Sequence, residues 1–318
     1  MRKFLTIILC VCLICLSGCS IFKKENTDTR ILMDTVVTIT ADCSKETISQ
    51  AFDLAGELER KLSRTIKGSD IWQINNSDLP VKVSTETLLL INKSIEYSRL
   101  SEGKFDITVC PVSSLYNFSE GNLPNEEDIS KALKKVDYEK IKVEGDCVSL
   151  TDGSIDLGGI AKGYVADRLV AFLKEKGVES GTVNIGGNVY CFGKSSFKVG
   201  IKKPFSNEIM LIVESGENSF VTSGIYERYI EKDGKIYHHI IDPATGYGVE
   251  NDLASVTVIG KSSADCDALS TVCMLLGSNK AKHLIESIKD FEAVLILRDG
   301  TVLTTNGLDI SGDKITER

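Results

Sequence analysis

The 318-residue chain carries 37 Lys and Arg against 45 Asp and Glu, a net charge of −8, and 42% of its residues are hydrophobic. An acidic chain with no basic run argues against nucleic acid, or an anionic lipid surface, as a partner. Its length is enough for one large domain or two interlocked subdomains around a sizeable core.

The chain opens on Arg2 and Lys3, followed by a short apolar stretch from Phe4 to Leu16. A membrane span needs ~20 apolar residues, so this stretch reads as a targeting segment. It ends in Leu16-Ser17-Gly18-Cys19, which resembles a bacterial lipoprotein signal. Residues 1–18 are expected to be a signal peptide and Cys19 to be lipidated, with residues 19–30 forming a polar tether. Several acyl chains, palmitate among them, would anchor the protein to a bacterial cell membrane on its extracytoplasmic side. An ordinary secretory signal with an incidental Cys19 is the alternative. Loss of Arg2 and Lys3 with the signal takes the net charge from −8 to −10.

Residues 31–318 then read as a single α+β domain of mixed sheets with packed helices. Ile31 to Thr40 is β-rich and predicts one opening strand. Ile48, Phe52, Ala55, Leu58 and Leu62 recur at helical spacing through residues 45–63. Ser84 is placed to cap a second helix, and Asn125 starts a short third one. Residues 138–157 alternate like two or three strands, and a helix is expected from Tyr164 to Lys176. Thr182 to Ile259 is mostly short β segments, with Asp233-Gly234 as a hairpin turn. Ser262 or Ser263 caps a helix to about Leu276, and a further helix and a hairpin around Asp299-Gly300 follow. Helices and strands that do not strictly alternate argue α+β rather than a doubly wound sheet.

Of the ten cysteines, Cys10, Cys12, Cys15 and Cys19 belong to the signal. The others (Cys43, Cys110, Cys147, Cys191, Cys266 and Cys273) are widely spread, with no C-x-x-C. They read as small buried apolar residues rather than zinc ligands. Disulfide pairing among them stays open.

Several constellations could carry chemistry. Ile155-Asp-Leu-Gly-Gly-Ile-Ala-Lys-Gly reads as a strand-like start, paired glycines, Lys162 and a helix. That suggests a phosphate cradle, although the spacing matches neither common nucleotide-binding glycine motif. A lysine at a helix start is disfavoured by the helix dipole, and a bound anion would relieve it. Asp267 and Thr271 are four residues apart, so both reach one helix face. A carboxylate and a hydroxyl there suit Mg²⁺ that also takes substrate phosphates. An exposed aspartate and a threonine bonding back into its own helix are the alternative. His238 and His239 adjoin at the end of a strand, so they point to opposite faces. One of them can serve as a general base, or both simply pack across strands. The glycine-rich segments Asn184-Ile-Gly-Gly and Thr222-Ser-Gly-Ile-Tyr-Glu-Arg add backbone able to approach a large ligand.

These segments occur in one order with Met33-Asp-Thr, Leu62-Ser-Arg, Phe105-Asp-Ile-Thr-Val-Cys-Pro, His239-Ile-Ile-Asp-Pro-Ala-Thr-Gly and Asp267-Ala-Leu-Ser-Thr. In that order the chain resembles the ApbE-type FAD:protein FMN transferases over essentially its whole mature length. The resemblance implies an enzyme of EC class 2.7 that takes FAD as substrate and Mg²⁺ as cofactor. FMN would pass to a threonine or serine hydroxyl of an acceptor protein through a phosphoester bond, releasing AMP. It further implies that Asp267, Thr271 and the Gly159 carbonyl hold Mg²⁺. Met33, Lys104, Phe105, Asp106, Asp156, Lys162 and Ile241 would lie against FAD, with His239 as the base. Implied acceptors are subunits of membrane redox complexes, such as sodium-pumping NADH:quinone oxidoreductases, or extracytoplasmic flavoproteins. An FAD pyrophosphatase giving FMN and AMP, and a non-catalytic flavin-binding lipoprotein, are the competing readings. The chain departs from the family pattern at Asp34, where glycine is usual, at Thr65, where an aromatic is common, and at Cys110 and Ser270. None of these removes an implied metal ligand or the base.

Overall fold

The structure, a computed structural model, describes residues 25–194 and 196–318. The expected signal peptide, Cys19 and the first part of the tether lie outside the described residues. At the centre is an eight-stranded sheet in which every pairing is antiparallel. Its spatial order follows chain order: Asn26–Leu32, Thr35–Ala41, Gly181–Ile185, Asn188–Phe192, Asn218–Gly224, Leu253–Gly260, Phe291–Leu297 and Val302–Thr304.

Where one opening strand is expected there are two, and the first begins at Asn26, inside the stretch read as tether. Cross-strand pairing is the reason. Thr27, Thr29 and Ile31 stand opposite Thr40, Thr38 and Val36, and the two threonine pairs bond through their hydroxyls at 2.8 and 3.1 Å. Met33 and Asp34 make the turn, both in the left-handed region (φ 54° and 55°) that a two-residue hairpin loop favours. Aspartate tolerates that region better than most side chains, which accounts for Asp34 at this position.

Alternate residues of the sheet face different layers. Val221, Val256, Val258, Ala293 and Leu295 pack with residues of the helix Ser263–Leu276. Phe220, Ile259, Val294 and Ile296 face a four-stranded mixed sheet of Phe197–Lys202, Ile209–Ser215, Leu308–Ser311 and Lys314–Glu317. Leu253–Gly260 is therefore buried at every position instead of every second one. The largest core lies between the first strands and the helices Lys45–Leu62 and Ala161–Glu175. This is the expected α+β architecture.

The expected caps are present. Ser84, Asn125 and Ser262 accept backbone N–H bonds at the starts of Thr85–Leu100, Glu126–Leu133 and Ser263–Leu276. Asp233-Gly234 turns the hairpin of Tyr229–Lys232 and Lys235–His238. Periodicity does not anticipate the helix Asp70–Asn75, whose six residues are too few for a repeating pattern. The helix expected from Tyr164 starts at Ala161, so Lys162 and Gly163 are in its first turn. Cys110, Cys191, Cys266 and Cys273 are buried thiols. Among the described residues no helix is long and apolar enough to cross a membrane.

Candidate active site

One end of the central sheet gathers the glycine-rich segments. Val37 pairs with Ile185, so the Met33–Asp34 turn lies beside the Gly186–Gly187 turn. There the Gly186 N–H donates to the Val36 carbonyl at 3.0 Å. A Cβ on Gly186 would overlap the Thr35 side chain, so glycine lets the two turns touch. Register carries the same end across to Thr222–Gly224, since Phe220 pairs with Val189 and Gly224 with Ser255.

Ile155 to Gly159, expected to begin as a strand, is irregular backbone. Asn75 clamps it from both sides, accepting from the Ile155 N–H at 2.7 Å and donating to the Ile155 carbonyl at 2.9 Å. The Asp156 N–H donates to the Ile107 carbonyl at 2.9 Å. These bonds satisfy the backbone without a ladder. The Asp156 carboxylate accepts from the Gly158 N–H at 2.9 Å and pairs with Arg64 Nε at 2.9 Å.

From Gly159 the chain enters the helix Ala161–Glu175, which crosses Ser263–Leu276 in close contact. A Cβ on Gly163 would overlap the Ser263 carbonyl oxygen. The Gly163 N–H donates to Asp267 Oδ2 at 2.9 Å. Asp167, one turn further on, accepts from the Ser263 and Ala264 N–H groups at 2.7 and 2.9 Å and so fixes the start of the second helix. Burial, outweighing these two bonds, pushes the Asp167 carboxyl up to about 6.

Asp267 is 3% exposed, which removes the reading of it as a surface aspartate. Its Oδ1 lies 3.9 Å from Lys162 Nζ, and that ammonium donates to the Gly158 carbonyl at 2.8 Å. The Thr271 hydroxyl is 3.3 Å from the Asp267 carbonyl and 3.5 Å from Ser223 Oγ. A Cβ built on Gly159 would sit 3.7 Å from Thr271 Oγ1 and 3.1 Å from the buried Phe105 ring. Thr271 thus makes the bond into its own helix while its hydroxyl oxygen lies beside Gly159. Gly159, Lys162, Asp267, Thr271 and Phe105 meet in one place. The donors are hard oxygens around a single buried carboxylate, a set suited to Mg²⁺ that completes its shell with substrate phosphates. Among the described residues no group of three or more His, Cys, Asp or Glu side chains forms a protein-only metal cage.

The adjoining histidines do separate. His238 is 2% exposed, with Nε2 3.1 Å from the Val249 carbonyl, and burial pushes it down to about 4. His239 turns the other way and is half-buried. Its Nδ1 lies 3.3 Å from the Arg228 carbonyl, and its backbone N–H donates to the same oxygen at 3.1 Å. A carbonyl only accepts, so this bond puts the ring proton on Nδ1 and leaves Nε2 with a bare lone pair. Burial, helped by the charges of Arg228, His238 and Lys162, pushes His239 down to about 4 against that bond.

The other residues that the resemblance places against FAD have partners of their own. Lys104 Nζ pairs with Asp242 Oδ2 at 2.8 Å, tying the Phe105 motif to the His239 motif. Asp106 is turned inward, its oxygens accepting from Thr108 N–H, Thr108 hydroxyl and Tyr138 N–H at 2.7, 2.6 and 3.0 Å. Ile241 packs in a small core with Val112, Tyr116 and Ala132. Met33 donates its N–H to Glu59 Oε1 at 2.7 Å. Asp167 is the residue that motif reading overlooks. Its one signal is position, four residues after Gly163 on the same helix face.

A family model described as the ApbE family matches residues 33–295. The chain belongs to the ApbE family. An ApbE relative from Klebsiella pneumoniae, named FAD:protein FMN transferase, is 33% identical over 268 residues, covering 81% of this chain and 84% of that protein. One of the same name from Treponema pallidum is 30% identical over 288 residues, covering 82% and 80%. The crystal structure of the ApbE protein from Thermotoga maritima superposes with a TM-score of 0.81 at 28% identity, covering 89% of this chain and 97% of that one. The flavin transferase ApbE from Vibrio cholerae gives 0.79 at 28% identity, covering 89% and 98%.

Proposed function

We propose that this chain transfers the FMN half of FAD to a threonine or serine hydroxyl of an acceptor protein, with AMP released and Mg²⁺ required. The observation that carries the reading is the meeting of Asp267 and Thr271 with Gly159 and Lys162, segments about 100 residues apart in the chain. Relatives named FAD:protein FMN transferase support it. Asp267, Thr271 and the Gly159 carbonyl would hold Mg²⁺, which when bound neutralises charge on the FAD pyrophosphate. Lys162 adds a second positive charge at the same place. His239 Nε2 takes the proton of the acceptor hydroxyl. The acceptor oxygen then bonds to the FMN phosphorus while the phosphoanhydride bond breaks, and AMP leaves with the bridging oxygen. The acceptor is a flavoprotein subunit of a membrane redox complex or an extracytoplasmic flavoprotein. In this reading Cys19 carries the lipid anchor that keeps the enzyme at the cell membrane.

The test incubates the full chain with FAD, Mg²⁺ and an acceptor domain bearing a flavinylation threonine. Mass spectrometry is expected to find an FMN-sized adduct on that residue and an equal amount of AMP, both lost with EDTA. Absence of adduct and AMP together sinks the reading. AMP with free FMN and no adduct makes the chain a pyrophosphatase, and intact FAD makes it a flavin-binding protein. Cys19→Ala should move the protein out of the membrane fraction; a variant that stays there removes the anchor.

A further inference from the structure

Two helix starts cross at the site, and each is capped by the other helix. Ala161–Glu175 begins after Ile160, whose side chain offers no acceptor. Its Gly163 N–H, one of the free donors of a first turn, goes to Asp267 Oδ2 of the second helix at 2.9 Å. Ser263–Leu276 has Ser262 as a cap of its own. Ser262 takes the Asp265 N–H on its hydroxyl at 3.3 Å and the Cys266 N–H on its carbonyl at 3.0 Å. The Ser263 and Ala264 N–H groups go instead to the two carboxylate oxygens of Asp167, in the first helix, at 2.7 and 2.9 Å.

The crossing is thus tied at two points, and the residues implied to hold the cation are divided across it. Gly159 and Lys162 come with the first helix, Asp267 and Thr271 with the second. The Gly163 tie uses the carboxylate whose other oxygen faces Lys162, so any pull on Asp267 Oδ1 from a ligand falls on that bond. The Asp167 tie is made at the helix start instead. Asp267 follows Ser263 by about one turn, so a shift of that start carries Asp267 and Thr271 with it.

The titratable groups whose charge reaches Asp167 are Lys93, Asp265, Cys266 and Tyr190. Lys93 and the Tyr97 hydroxyl both bond Asp265 Oδ1, at 2.6 and 2.8 Å, and the Tyr190 hydroxyl donates to the Lys261 carbonyl at 2.9 Å. The two bonds of Asp167 go to backbone at the positive end of a helix. An amide in its place matches only one of them, since its nitrogen would meet the other N–H donor to donor.

Resting on the transferase reading above, we propose that Asp167 is a positioning residue for the metal site: its carboxylate sets the spacing between the Gly159–Lys162 half and the Asp267–Thr271 half, and affinity for the divalent cation depends on it. Protonation turns one acceptor oxygen into a hydroxyl and frees an N–H, much as the amide does. With the Asp167 carboxyl pushed up to about 6 by burial, cation binding and loss of its proton are linked.

The experiment uses Mn²⁺ as the probe and counts the free ion by its electron paramagnetic resonance signal, over the full chain with FAD and no acceptor. Asp167→Asn should weaken Mn²⁺ binding about tenfold and leave FAD affinity in the absence of metal unchanged. In wild type the Mn²⁺ affinity should fall as pH drops through about 6. Calorimetry near that pH, in two buffers of different ionisation heat, should find about half a proton released per ion bound. Both features should vanish in Asp167→Asn, and the wild-type pH series decides the matter if that variant does not fold. A variant with wild-type Mn²⁺ affinity, however far its melting temperature falls, makes Asp167 a helix cap only and overturns the proposal. So does a wild-type affinity that is level across pH 6, or proton release that persists in the variant. Wild type that binds no Mn²⁺ with FAD present, and adds no FMN to the acceptor domain above, fails the transferase reading itself. Metal binding and transfer that Asp167→Asn equals fail this proposal alone.

Discussion

Asp267 stands on a helix whose first turn is held by Asp167 and pressed against Gly163. His239, by contrast, directly follows a two-stranded hairpin that forms a sheet of its own, Tyr229–Lys232 with Lys235–His238. A hairpin alone is marginal in water, whereas two helices locked by buried backbone contact open only with the core. The half of the site around Asp267 is thus preorganised, and the half around His239 rests on an element that can shift. Pyrophosphate has one shape and acceptor proteins have many, so the division suits the proposed chemistry.

The largest blow to the rigid half should come from Gly163→Ala. The new methyl meets the Ser263 carbonyl, a backbone atom with nowhere to go. Denaturant unfolding should show a loss of about 3 kcal/mol or more, with FMN transfer abolished as Asp267 moves with its helix. Near-wild-type stability would mean the helices are not locked. Asp267→Asn keeps the shape and removes the charge. Transfer and AMP release should fall by about 10³-fold while the melting temperature stays close to wild type, and retained turnover would take Asp267 out of the metal site.

On the adaptable half, His239→Ala should slow transfer by about 10²–10⁴-fold and leave FAD affinity intact by equilibrium titration. With His239 pushed down to about 4, the imidazole is neutral at physiological pH. The transfer rate should therefore be level above about pH 5 as far as this group is concerned, and fall through about pH 4. Stability carries the same sign. His238 and His239 both have folded values near 4, below the ordinary 6.5, so the unfolded chain binds more protons between the two. Their contribution is complete above about 6.5 and is lost as pH falls towards 4; equilibrium unfolding across that range checks it. The smallest effect belongs to Gly234→Ala in the hairpin turn, where no atom lies within 4 Å of the added Cβ and only the φ of 72° resists. It should cost about 1 kcal/mol, slow transfer less than about tenfold, and leave FAD affinity unchanged. A drop as large as that of Gly163→Ala would erase the distinction between the halves.

Local pattern by itself determined the capped helices. Ser84, Asn125 and Ser262 each bond a backbone N–H three residues on, an interaction contained in the stretch that spells it. It also determined the pairing of Asp267 with Thr271, which is one turn of helix, and the opposite facing of His238 and His239, which is the pleat of a strand. Only the tertiary structure decided the rest. The opening hairpin depends on threonine partners 9 and 13 residues apart. The irregular path of Ile155 depends on Asn75, 80 residues away, and the seat of Asp267 on a Gly163 N–H 104 residues away. Asp106 and Asp156 belong to equally suggestive motifs, yet one is spent inward on Thr108 and Tyr138 and the other is tied to Arg64. Which polar groups hold the frame, and which are left for a ligand, follows from satisfying every buried donor and acceptor at once, and that condition exists only in three dimensions.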